Sequence, residues 1–248
     1  MPTQQYIVTH CLPHRKALVK LHMFNPKVMS SKISRYTTPR GPESEFTPGS
    51  RGRILRNLQG ITRKTEMDRI EYEALVQVQE IYLNTITEET RLTAAMICQM
   101  HRDWLGRIYA WAGQYRTVEL QKGSFRWPPA YRVAENMATF ERELLARHTP
   151  CPHEPLAKTA RRIAEVHAEL LLIHPFREGN GRLARWLADL MSLQAGYPLP
   201  KYEFAGKGAK TYQKRYLTAV LSGYSQDYEP LTAFFSEAIT RRLEEPDR

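Results

Sequence analysis

The chain has 248 residues, 42% of them hydrophobic and 25% charged. That is the balance of a folded globular domain, with no apolar run of membrane-spanning length and no secretory start. Three cysteines, Cys11, Cys98 and Cys151, are too few and too scattered for a disulfide framework, which predicts a reducing, cytoplasmic setting.

The net charge of +10 is concentrated at the start: residues 1–55 carry nine Lys/Arg and two acids, and the remainder carries 27 and 24. A basic arm can bind nucleic acid, but this one lacks aromatic interleaving and reads more simply as a solvated tail. His10, Cys11 and His14 lie close together without a second pair of ligands at zinc-site spacing. Residues 30–53 are rich in Ser, Thr, Pro, Gly and Arg with no apolar period, which predicts a linker. Residues 1–54 are therefore expected to be a poorly ordered basic segment, and 55–245 the folded domain with its core at about 95–225.

Helical spacing begins near Thr65, where Ile70, Ala74, Val78 and Ile81 recur at i, i+4, i+8 and i+11. A second helix is predicted over Glu88–Trp104. Tyr115–Leu120 alternates, and Lys122-Gly123-Ser124 is a turn signal before Phe125-Arg126-Trp127, so a β-hairpin is predicted, ended by Pro128-Pro129. Helices resume at about 131–147, 154–173, 181–194 (stopped by Gly196), 209–222 and 227–244. The expected fold class is an all-α bundle with one short hairpin.

The chemistry is concentrated in His174-Pro175-Phe176-Arg177-Glu178-Gly179-Asn180-Gly181-Arg182-Leu183-Ala184-Arg185. Pro175 disfavours helix at His174, so the chain leaves one helix at a histidine, crosses a glycine-bearing loop and enters another. A phosphate suits the bare N–H groups and dipole of that second helix N-terminus. A metal on phosphates suits a carboxylate such as Glu178. Triphosphate charge suits Arg182 and Arg185, and a hydroxyl nucleophile suits a base that is neutral at pH 7, His174. His167 falls on an apolar helix face and reads as a core histidine. Tyr212 and Tyr216 are candidate nucleobase contacts whose helix-face spacing equally suits packing.

These twelve residues match the signature of the Fic family, His-x-Phe-x-Asp/Glu-Gly-Asn-Gly-Arg-x-x-Arg, at all eight specified places. Trp111–Arg116 resembles the family's segment before its hairpin, and Lys122–Phe125 resembles the hairpin itself, the flap. The resemblance runs over roughly 55–240 and implies transfer of AMP from ATP to a Tyr, Thr or Ser hydroxyl of a target protein. It implies that His174 takes the hydroxyl proton, Phe176 anchors the loop and Glu178 holds Mg²⁺. It further implies that Gly179, Asn180, Gly181, Arg182 and Arg185 hold the phosphates, and it counts Lys122, Gly123, Ser124 and Phe125 among the nucleotide-binding residues. The flap, Leu120–Trp127, would bind the target by strand addition. Gly181, where Doc-type toxins carry Lys, favours AMP transfer over γ-phosphate transfer. The family's inhibitory Ser/Thr-x-x-x-Glu-Gly/Asn pattern is not completed anywhere. That leaves a separate small antitoxin-like inhibitor, or a degenerate internal glutamate, with Glu66 and Glu244 as candidates. The competing readings are another phosphate-group transferase or a remover of AMP on the same site, and a vestigial regulatory or nucleic-acid-associated protein.

Overall fold

A computed structural model describes residues 6–7 and 42–245. Its helices are α1 (Lys64–Thr85), α2 (Ala94–Leu105), α3 (Val133–Phe140), α4 (Ala146–His148), α5 (Leu156–Ile173), α6 (Asn180–Gln194), α7 (Ala209–Gly223) and α8 (Glu229–Leu243). A π turn, Glu141–Leu145, joins α3 to α4, so that Val133–His148 is one helical rod. Three two-residue strands complete the fold: β1 (Tyr6–Ile7), β2 (Gln121–Lys122) and β3 (Phe125–Arg126).

The centre of the bundle is α5, which packs against α3, α6, α7 and α8. It is buried on every side from Val166 to Ile173, as a helix ringed by other helices must be. Trp104, Phe140, Phe176, Trp186, Phe234 and Phe235 fill the layers around it. His167 is a core residue here: its ring bonds the Ala184 carbonyl at 3.0 Å and the Tyr216 hydroxyl at 2.8 Å. Tyr212 and Tyr216 are buried with it, Tyr212 packing on Phe204, Phe234 and Arg241. Both are packing residues.

Three local expectations are corrected. On α1 the fully buried residues are Met67, Glu71 and Leu75; Ile70, Ala74 and Val78 of the expected face are half-buried against the core, and Ile81 is exposed. The helix is turned so that Glu71 can meet partners inside. Helix α2 starts at Ala94 and not at Glu88, because the Thr93 hydroxyl caps it, accepting from Met96 N–H at 3.1 Å. The hairpin is shorter than the alternating pattern suggests, because Arg116 and Thr117 give their N–H groups to Pro175 and Glu43 and not to a ladder.

The expected linker is also corrected where it is described. Thr47 N–H bonds the Ile54 carbonyl at 2.9 Å, Phe46 bridges Leu55, and Ile54 is 2% exposed. The polar residues that hid any apolar period are what close this turn, with Thr47, Ser50 and Asn57 side chains bonding nearby backbone. Residues 8–41 of the basic arm, including His10, Cys11, His14 and the proposed start of the linker, lie outside the described residues. In the sheet, β2 and β3 pair antiparallel, Gln121 with Arg126 and Lys122 with Phe125, and β1 lies parallel on the other edge of β3.

Candidate active site

The site lies between the C-terminus of α5 and the N-terminus of α6. His174 ends α5 in the left-handed region (φ 52°), its N–H still bonded to the Leu170 carbonyl at 3.0 Å. The next residue sets its chemistry. In a continuing helix the Leu171 carbonyl would accept from residue 175, but Pro175 has no N–H. The freed carbonyl takes side-chain donors instead: His174 Nδ1 at 3.1 Å, Trp127 Nε1 at 3.0 Å and the Tyr224 hydroxyl at 3.2 Å. Because a carbonyl only accepts, Nδ1 carries the imidazole hydrogen and Nε2 is left with its lone pair. Burial, helped by the charges of Arg116 and Lys122 and opposed by the Leu171 hydrogen bond, holds the imidazole neutral well below the usual histidine range. Trp127 covers the ring, with centroids 4.2 Å apart.

The loop from His174 to Asn180 is pinned from inside. Phe176 is fully buried and stacks on His101 at 3.9 Å and 7°. Gly113 N–H donates to His101 Nδ1 at 2.8 Å, so the other ring nitrogen donates to the Glu178 carbonyl at 3.1 Å. Burial pushes the His101 pKa down to about 4, which keeps that tautomer neutral. Gly179 stands at φ 87°, and a Cβ there would sit 2.9 Å from the Trp104 ring. Only glycine meets both demands.

The side chain of Asn180 is engaged within the loop. Its Oδ1 accepts from Phe176 N–H at 2.9 Å and its Nδ2 donates to the Phe176 carbonyl at 2.7 Å. The side chain therefore closes the loop, and only the backbone faces the α6 N-terminus. Among the described residues the N–H groups of Asn180 and Gly181 have no protein acceptor, while those of Arg182 and Leu183 bond the Gly179 carbonyl at 3.0 Å. Gly181 has open space at its Cβ position apart from the Arg185 guanidinium at 3.7 Å. The Glu178 carboxylate is half-buried and, among the described residues, accepts only from the adjacent Gly179 N–H, at 3.3 Å.

The two arginines differ. Arg182 lies over Trp104 at 4.6 Å and pairs with Glu71 at 2.7 Å, whose other oxygen accepts from the Tyr109 hydroxyl at 2.7 Å. Arg185 lies against the faces of Phe204 and Tyr216, at 5.1 and 6.0 Å, and no carboxylate of the described residues comes within ion-pair distance. Glu66 and Glu244 are exposed, and neither pairs with a motif arginine.

The expected hairpin residues divide. Phe125 is half-buried, packed on Trp127 and Tyr224 at 5.1 and 5.3 Å. Lys122, Gly123 and Ser124 are exposed at the tip, and of these Lys122 alone acts on His174, through its charge. Sequence reasoning missed His101, Trp127, Arg116, Arg177, Glu43 and Glu71. The signal for Glu71 was present: a lone acid between Met67 and Leu75 on an apolar stripe.

Comparison with known proteins agrees with this geometry. The Fic/DOC family model matches residues 91–192. A probable protein adenylyltransferase, y4lH of Sinorhizobium fredii, is 32% identical over 182 residues, 73% of this chain and 88% of that protein. The probable protein adenylyltransferase Fic of Salmonella typhimurium is 28% identical over 194 residues, 77% of this chain and 90% of its own. Among solved structures, the Fic domain of Bep8 from Bartonella sp. 1-1C superposes with a TM-score of 0.65 at 17% identity, covering 78% of this chain and 94% of that one. BepC of Bartonella tribocorum, solved with bound AMPPNP, gives 0.59 at 18%, covering 78% and 93%. With its signature loop closed between two helices and a relative of this identity matched along most of its length, the chain belongs to the Fic/DOC family.

Proposed function

We propose that this chain transfers AMP from ATP to a side-chain hydroxyl of a target protein. It is a nucleotidyltransferase, as its relatives are by name. The observation that carries the reading is the pairing of a bare His174 Nε2, fixed by the Leu171 carbonyl, with the open N–H groups of Asn180 and Gly181 at the start of α6. A hydroxyl proton passes to Nε2 as the hydroxyl oxygen bonds the α-phosphorus. The bond from that phosphorus to the bridging oxygen breaks, and pyrophosphate leaves. Phosphate charge is met by the α6 N-terminus, Arg182 and Arg185. Gly181 supports AMP transfer, since the space beside it lacks the lysine of the γ-phosphate-transferring branch.

The donor set suits a magnesium ion bound mainly through its substrate. Glu178 is a single unpaired carboxylate, and no cluster of three metal-ligating side chains occurs among the described residues. Glu178 would hold Mg²⁺ on the phosphates, where the ion neutralises charge. The target's extended segment would lie along Leu120–Trp127, and the buried Trp127 side of the flap keeps water from His174. A separate inhibitory protein fits better than Glu66 or Glu244, because both are exposed and neither pairs with a motif arginine among the described residues. A cytoplasmic place accords with the few cysteines, and no helix of the described residues is long and apolar enough to cross a membrane.

Incubation with ATP labelled at the α- or the γ-phosphate tests the reading. Label from the α position on protein is expected. Label from the γ position, or none, overturns it.

A further inference from the structure

One buried arginine outside the signature touches both halves of the machinery. Arg116 is 2% exposed. Its Nε donates to the His174 carbonyl at 2.8 Å, and one terminal nitrogen lies 3.5 Å from the Ile173 carbonyl. Those are the last carbonyls of α5. The same guanidinium donates to Val118 O at 2.9 Å and Pro128 O at 2.6 Å, the two feet of the flap. The Arg116 N–H donates to Pro175 O at 2.8 Å. A planar fork with five donors can hold four carbonyls in one geometry, which a lysine cannot.

A second buried group braces the same corner. Glu43, 6% exposed, accepts from Thr117 N–H at 3.2 Å and from the Thr117 hydroxyl at 3.2 Å. Its own carbonyl accepts from Arg177 Nε, in the signature loop, at 2.8 Å. The segment before the helices thus reaches the flap and the loop together.

We infer that Arg116 is a positioning residue for AMP transfer: it sets the spacing between the flap, where the target strand would lie, and the His174 imidazole, with Glu43 as its brace. The inference rests on the proposed AMP transfer and on the flap as target site. Among the described residues Arg116 bonds carbonyls and no phosphate-binding group, so its loss acts on transfer more than on nucleotide affinity. A misplacement near 1 Å in such a constellation costs about 10²-fold in rate.

The test compares Arg116→Lys with Leu145→Ala, a core substitution in the Val133–His148 rod and not among the site residues, both assayed below their melting temperatures. The probes are α-labelled ATP with a soluble protein extract as acceptor, binding of a non-hydrolysable ATP analogue, and hydrogen exchange. Arg116→Lys is expected to lower labelling about 10²-fold, to keep analogue affinity within about threefold, and to speed exchange selectively over residues 117–128. Leu145→Ala is expected to melt earlier and label normally. Labelling by Arg116→Lys within about threefold of wild type, an equal loss in Leu145→Ala, or exchange raised evenly along the chain would each overturn the assignment. Wild-type protein that takes label from the γ position or not at all refutes AMP transfer instead, and the exchange experiment then decides alone whether Arg116 holds the flap.

Discussion

Replacing Asn180 by alanine separates two roles that the signature leaves merged. The side chain holds both polar groups of Phe176, at 2.9 and 2.7 Å, and is itself 4% exposed. Alanine leaves a buried N–H and a buried carbonyl without partners, at about 1–3 kcal/mol each, so the expected loss is about 2–6 kcal/mol. For a chain of this size that lowers the melting temperature by about 5–20 °C. The loop that presents the Asn180 and Gly181 N–H groups loses its inner frame, so a charge-assisted bond to phosphate worth about 1.5–3 kcal/mol is also weakened. Affinity for a non-hydrolysable ATP analogue should then fall about ten- to a hundredfold. Asn180→Asp keeps the acceptor for Phe176 N–H but sets a carboxylate oxygen against the Phe176 carbonyl, and should fall between alanine and wild type in melting temperature. Thermal melts and calorimetric titration read both quantities. An alanine variant that melts within about 2 °C of wild type yet binds the analogue poorly would refute the reasoning, because the side chain would then be gripping nucleotide and not the loop.

Four further outcomes are expected. His174→Ala should lower labelling by about 10²–10⁴-fold while analogue binding stays within a few-fold, and near-normal labelling would remove His174 from the role of base. Glu178→Ala or a chelator should depress transfer, and Arg185→Gln should weaken analogue binding; full activity in chelator would sink the metal assignment. Burial pushes the Glu169 carboxyl up to about 8 from 4.5, with Tyr228 as hydrogen-bond donor, so the fold keeps a proton that the unfolded chain releases. Stability from this group is full below 4.5 and is lost as pH rises through 8; Glu169→Gln should gain melting temperature relative to wild type from about pH 5 to about pH 8.5, and a pH-independent difference would contradict it. A chain beginning at Met29 keeps the Glu43 contacts and frees the β3 edge, so it should transfer AMP at least as well as the full chain. One beginning at Thr47 lacks Glu43 and should label poorly, which the same labelling assay checks.

The helices were legible because burial on one face leaves a period, and the signature was legible because its demands are local: a helix end before Pro175, a positive φ at Gly179, a helix start at Asn180. Residues that act across the sequence were not. Glu43 meets Arg177 from 134 positions away, and nothing near Glu43 marks it, since its neighbours have the composition of a linker. Arg116 sits in a stretch whose alternation suggested a strand, while its side chain and N–H serve carbonyls of other segments. The side-chain bonds of Asn180 to Phe176 were not legible for a related reason: residue type fixes what a side chain can bond but not which nearby partner it meets.

The two helix ends that meet at this loop have opposite electrical polarity, and the proposed transfer would run between them. The carbonyl end of α5 carries partial negative charge, and Leu171 O is already bonded to His174 Nδ1. When Nε2 gains a proton, the new imidazolium forms at the end that favours a cation, with its Nδ1–H bond strengthened in place. The N–H end of α6 carries partial positive charge, and in the proposed transfer the phosphate oxygens would gather charge there as pyrophosphate departs. Proton and negative charge thus separate along a field that the backbone supplies before substrate arrives. Since Pro175 is what exposes the Leu171 carbonyl, a residue without any reactive group orients that field on the base.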